Sequence, residues 1–82
     1  MLIGKVIGNV WATRKDPKLS GLKLMVVEIK DSNGTKSIVA ADYIGAGIGD
    51  SVIVVNGSSA RHVFDNETPV DATIVGIIDS LE

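Results

Sequence analysis

The residues that most suggest chemistry in this chain are Gly45, Gly47 and Gly49, which alternate with Ala46 and Ile48 between Asp42 and Asp50. Glycine-rich loops cradle phosphates because bare backbone N–H groups can come close to an anion. A dinucleotide loop needs G-x-G-x-x-G opening a helix just after a strand. Here the third glycine comes one residue early and an apolar strand follows. A Walker loop needs Gly-Lys-Ser/Thr, which the sequence lacks. The spacing therefore points to a loop that needs glycine's backbone angles rather than to a nucleotide site. His62 is the only histidine, and with no second ligand or paired nucleophile it reads as structural or exposed. Asp42, Asp71 and Asp79 are candidates for a carboxylate pair, but capping a turn or meeting Arg61 or a lysine is the simpler role. No catalytic residue, cofactor or metal site is predicted.

A second candidate is the basic loop carrying Arg14, Lys15, Lys18 and Lys23, which follows Trp11. In OB folds the loop between the first two strands often contacts nucleic acid. Single-strand binders also need aromatic platforms for the bases, and Trp11, Tyr43 and Phe64 are the only aromatics. A net charge of -2 gives no general attraction to a polyanion. An OB-type single-stranded nucleic-acid-binding module is therefore the alternative reading, not the leading one. With no cysteine, disulfides and thiolate metal sites are excluded. No apolar run approaches the roughly 20 residues of a membrane span. The N-terminus is interrupted by Lys5 and Asn9 and does not read as an export signal, so a cytoplasmic location is expected. Asn33, Asn56 and Asn66 begin sequons that read as turns and loops.

The elements that must position these residues read as short strands. Residues 2–13 form a long first strand, with Gly4 and Gly8 on one face where it would bend over a barrel interior. Residues 14–21 are a loop by composition. Residues 22–30 and 35–41 form a hairpin around Asn33-Gly34. The glycine loop follows, then a fourth strand over 51–56. Ser58 or Ser59 is placed to cap a short helical turn running to Phe64. Residues 65–71 are a loop, and 72–79 form the last strand. The fold class is all-β: a small five-stranded OB-like barrel with a short helical turn between strands four and five. Residues 1–82 make a single domain.

Several strands are apolar on both faces, including Leu24-Met25-Val26-Val27 and Val52-Ile53-Val54-Val55. A barrel interior can take one face of each strand, and no long helix is predicted to cover the other. A chain of 82 residues, 45% of them hydrophobic, buries only roughly 60% of its unfolded surface when folded. Uncovered apolar surface marks an interaction face, and association with further copies is the expected outcome. The single Arg61 after Gly57-Ser58-Ser59-Ala60 has the planar donor array suited to a close contact.

These residues also resemble a known family. Val39-Ala40-Ala41-Asp42, Ile44-Gly45-Ala46-Gly47, Gly49-Asp50, Gly57-Ser58-Ser59-Ala60-Arg61, Pro69-Val70-Asp71 and Ile77-Ile78-Asp79 occur in the order and spacing of the EutN/CcmL family. These are the vertex proteins of bacterial microcompartment and carboxysome shells. The likeness runs from the first strand to Asp79. It implies a barrel that assembles as a homo-pentamer and caps the corners of a shell otherwise tiled by hexagonal shell proteins. The shell encloses enzymes in the bacterial cytoplasm, and the protein's role is shape, with no catalysis, no cofactor, no nucleic acid and no membrane. On this basis Gly45, Ala46, Gly47, Gly49, Ser58, Ser59, Ala60 and Arg61 are the expected subunit-contact or axial residues, with Arg61 bonding across the joint.

Overall fold

A computed structural model describes residues 1–13, 15–65 and 67–82. Its strands are Leu2–Asn9 (β1), Lys23–Asp31 (β2), Gly34–Asp42 (β3), Ser51–Asn56 (β4) and Ala72–Ile77 (β5). They close into a barrel in the order β1-β2-β3-β5-β4. Inward residues alternate along β2 and β4, as the two-residue period of a strand requires, whereas β3 and β5 each bury three residues in a row where they meet. Val6, Val27, Val52, Val54 and Ile74 are fully buried and fill the interior with Met25 and Ala40. A 3-10 turn, Ser58–Val63, lies between β4 and β5, where the sequence places a helical turn. A second, Pro17–Leu19, sits in the stretch read as plain loop; the Asp16 carboxylate accepts from the Lys18 N–H at 2.8 Å, and Pro17 supplies a preset backbone angle.

The β2–β3 hairpin is the longest ladder, paired from Lys23↔Asp42 to Asp31↔Gly34. Its tip turns on Gly34 alone, at φ +121°; Asn33 keeps a negative φ and instead donates its N–H to the Asp31 carboxylate at 2.8 Å. The barrel closes elsewhere through a short seam. β3 and β5 run parallel and pair only at Ala41↔Thr73 and Asp42↔Ile74.

β1 differs from its sequence reading in two respects. It ends at Asn9 rather than Thr13, because the partner strand starts at Lys23 and the last bond is Val10 N–H to the Leu24 carbonyl, 2.9 Å. Residues 11–13 have strand-forming side chains but nothing to pair with. A bulge between Val6 and Gly8 also shifts the register, setting Gly8 against Val26 while Val6 faces Val27. Gly4 and Gly8 therefore do not share a face, since each added residue reverses side-chain direction. Gly4 alone is required by close approach: a Cβ there would overlap the side chains of Val27 and Ile29 and lie 2.9 Å from the Glu28 carbonyl.

Candidate subunit interface

The glycine loop between β3 and β4 is shaped by two carboxylates. Asp42 ends β3 with its side chain almost wholly enclosed. It accepts the N–H of Ile44 at 3.1 Å, of Gly45 at 3.2 Å and of Ala46 at 3.0 Å. Asp50 accepts the N–H of Gly47 at 2.8 Å. Carboxylates holding backbone donors in this way fix a loop that has few side chains of its own. Gly45 and Gly49 take φ of +100° and +97°, where a side chain is strained. The loop is then pinned to β1: Gly49 donates to the Val6 carbonyl at 2.8 Å, and Val6 to that of Asp50 at 2.9 Å. Asp42 was expected to cap a turn or meet a lysine, and it does both, with Lys23 Nζ at 3.7 Å.

The expected contact residues divide by burial. Gly45 and Gly49 are exposed and Gly47 half-buried. Ala46 is fully buried in the protomer's own core, so its methyl anchors the loop and offers nothing to a neighbour. Ala60 is also fully buried, beneath the Ser58–Val63 turn, where its carbonyl accepts the Thr73 hydroxyl at 2.8 Å. Ser58 and Ser59 are exposed. Neither serine caps the turn; the cap position falls on Gly57, at φ +85°, with no side-chain bond. Arg61 is half-buried and already engaged within its own chain.

The two stretches leave β4 at opposite ends, yet their far sides meet. Phe64, just after the 3-10 turn, packs edge-on against Tyr43, with ring centres 6.2 Å apart. Nothing local in residues 43–64 pairs these rings. Around the loop, Tyr43 is 55% exposed and Ile48 65%, and Ile44 is also exposed. On the barrel wall Ile3, Ile7 and Val39 are exposed as well. Large apolar side chains thus stand on the outer surface, and among the described residues the 3-10 turns are the only helical cover.

Two lysines of the basic loop are engaged within the chain. Lys18 is bound to Glu67 at 2.9 Å, and Lys23 is turned to Asp42 and the Ala46 carbonyl. Arg14 and Asn66, the first residue of its sequon, lie outside the described residues. His62 is exposed, as are Asp71 and Asp79. Among the described residues no group of three or more His, Cys, Asp or Glu is placed to hold a metal, and no helix is long and apolar enough to cross a membrane.

Comparison with known proteins bears on this surface. Residues 1–79 match the family model described as ethanolamine utilisation protein EutN/carboxysome. The chain is 46% identical to the carboxysome shell vertex protein CcmL of Synechococcus elongatus, over 99% of this chain and 86% of that one. It is 42% identical to the microcompartment shell vertex protein PduN of Salmonella typhimurium, over 99% and 98%. Among solved structures, the pentameric microcompartment shell protein GrpN of Rhodospirillum rubrum superposes with a TM-score of 0.86 at 44% identity, covering 100% of this chain and 98% of that one. CcmL of Gloeobacter violaceus gives 0.89 at 38%, covering 100% and 89%.

Proposed function

The chain belongs to the EutN/CcmL family of microcompartment shell vertex proteins, and from that premise we propose that five copies close into a ring that caps a vertex of a bacterial microcompartment shell. Its place of work is that shell, in the bacterial cytoplasm. A flat sheet of hexagonal tiles cannot close on itself without five-fold points, so the contribution is curvature rather than catalysis. The neighbours of the ring are then hexagonal shell proteins of the same compartment.

The observation that carries this reading is a full barrel with an apolar outside. The interior is packed with fully buried side chains, yet Ile3, Val39, Tyr43, Ile44 and Ile48 remain exposed. Such patches are interaction surfaces by default. A contact between two different patches that repeats head to tail closes a ring when its rotation divides the circle. Gly45, Gly47 and Gly49 of the glycine loop and Ser58, Ser59 and Arg61 of the 3-10 turn form the contact or axial region of the ring. Ala46 and Ala60 support that region from within. None of the relatives named above supports the rival nucleic-acid reading.

Native mass spectrometry tests the proposal. A single five-copy species at micromolar concentration is expected, and a stable monomer there would overturn it. Arg61→Glu should weaken the ring while the barrel's circular dichroism spectrum stays unchanged; assembly indifferent to the reversal removes Arg61 from the contact.

A further inference from the structure

The barrel has an open edge that its own strands leave unfilled. β3 is paired along its whole length with β2, but β5 reaches it only at Ala41 and Asp42. Over residues 34–40 the other edge of β3 has no strand beside it. Alternate N–H and C=O groups of a strand point to each side, so this edge presents backbone donors and acceptors. A cleft runs along it, floored by Leu2, Ile38 and Ala72 and rimmed by Lys36, Asn56 and Asp71. Leu2 and Ile38 pack on the core yet are only partly buried. The interior is therefore incompletely covered here, and Lys36 is the only charge between Thr35 and Ala40. An open edge that carries a single charge can still serve as a template for strand addition.

The same chain carries a strand with no partner. Residues 10–13 are Val-Trp-Ala-Thr, of which Val10, Trp11 and Thr13 favour strands. Pairing stops at Val10, and Trp11 stands 90% exposed with Ala12 and Thr13 beside it. A large aromatic this exposed is the kind of group that anchors an interface. Segment 10–13 leaves from the start of β2, where Val10 bonds Leu24, while Thr35 pairs Lys30 near the end of β2. Thr35, towards the far end of that edge, is thus about 20 Å along the strand from Leu24, and β2 and β3 lie between the segment and the edge. Segment and edge are two different, complementary surfaces, which is what a head-to-tail ring requires.

We propose that in the vertex ring segment 10–13 of each copy adds as a strand to the open edge of β3 in the next, with Trp11 seated in the cleft over Leu2 and Ile38. The occupant is a second copy of this chain, and the inference rests on the ring reading above. The added strand satisfies the edge of β3 and finishes covering the core at its weakest seam.

The chain has no cysteine, so engineered disulfides report this contact without background. Ala12→Cys is combined in turn with Thr35→Cys, Ser37→Cys or Val39→Cys in the full chain and oxidised mildly. Cysteines bridge only when their Cα atoms are within roughly 7 Å. At least one combination should give a covalent ladder ending at five copies, while each single variant stops at two or fewer. A wild-type ring of five with no ladder from any combination overturns the strand addition and leaves the vertex reading standing. A wild-type monomer overturns both. As a second readout, the fluorescence of Trp11, the sole tryptophan, should shift to the blue on assembly, and Trp11→Glu should lower five-copy assembly at least tenfold with an unchanged circular dichroism spectrum. A ring in which Trp11 emits as a solvated indole, or which tolerates Trp11→Glu, rules the contact out and leaves the cleft to some other partner.

Discussion

The two linkers that flank β4 are both rich in small residues, and they are held in shape by different means. The loop after β3 is organised by charge: Asp42 and Asp50 gather four backbone N–H groups among Ile44, Gly45, Ala46 and Gly47. The turn after β4 is organised by packing: Ala60 is buried, one hydroxyl from Thr73 reaches its carbonyl, and Phe64 leans on Tyr43. A glycine loop has few side chains to pack, so only hydrogen bonding can give it a fixed form. A short 3-10 turn has spare side chains and can be pressed against the wall. The lesson is that rigidity in a surface linker does not require bulk.

This contrast is open to breakage. Asp42→Ala strips the acceptor from three N–H groups at once, one of them buried, and should cost about 3 kcal/mol in urea unfolding. A loss below a third of that means the loop is held by Lys23 or by β1 instead. Thr73→Val keeps the volume and removes the donor to Ala60; roughly 1–2 kcal/mol is expected by the same measurement. An effect equal to that of Asp42→Ala would erase the distinction between the linkers. Gly45→Ala places a methyl in open space at a positive φ and should cost roughly 1 kcal/mol in the fold. If Gly45 also meets a neighbour, the five-copy species should dissociate at concentrations where the wild type holds.

The smallest effect is electrostatic and belongs to the packed linker. The Glu67 N–H donates to Asp65 at 2.8 Å and, as the largest influence, holds its carboxyl below the ordinary value of 3.8. A folded value below the unfolded one means that the contribution is present above the unfolded value and disappears as pH falls through the folded one. Asp65 should therefore add a slight increment to the acid-side slope of stability below about pH 4, and Asp65→Asn should remove that increment. A carboxyl titration by NMR with its midpoint above 3.8 would contradict the bond.

Much of the fold was legible because its signals are local. Alternating and doubly apolar runs marked five strands, Gly34 marked the hairpin tip, and the small-residue run after β4 marked a turn. The misreadings share one cause: a single chain does not announce which strand will be opposite. Residues 11–13 have strand chemistry and no partner, and the bulge before Gly8 depends on how β2 is paired. The same holds at the candidate interface. Alanine is small enough to face either way, so Ala46 and Ala60 looked like contact residues and proved to be core. Asp42 was more readable, since an aspartate just ahead of Gly45-Ala46-Gly47 has free N–H groups within its reach.

The brevity of the β3–β5 seam has a kinetic consequence. Ala41 and Thr73 are some thirty residues apart, and joining them yields only two pairs. Closing so long a loop for so little reward places that step late in folding. The β2–β3 hairpin, whose partners are neighbours in sequence, is the natural nucleus. Until β5 arrives, a newly made chain is an unclosed sheet with two sticky margins, so encounters between copies made before that moment favour tangling over ring closure.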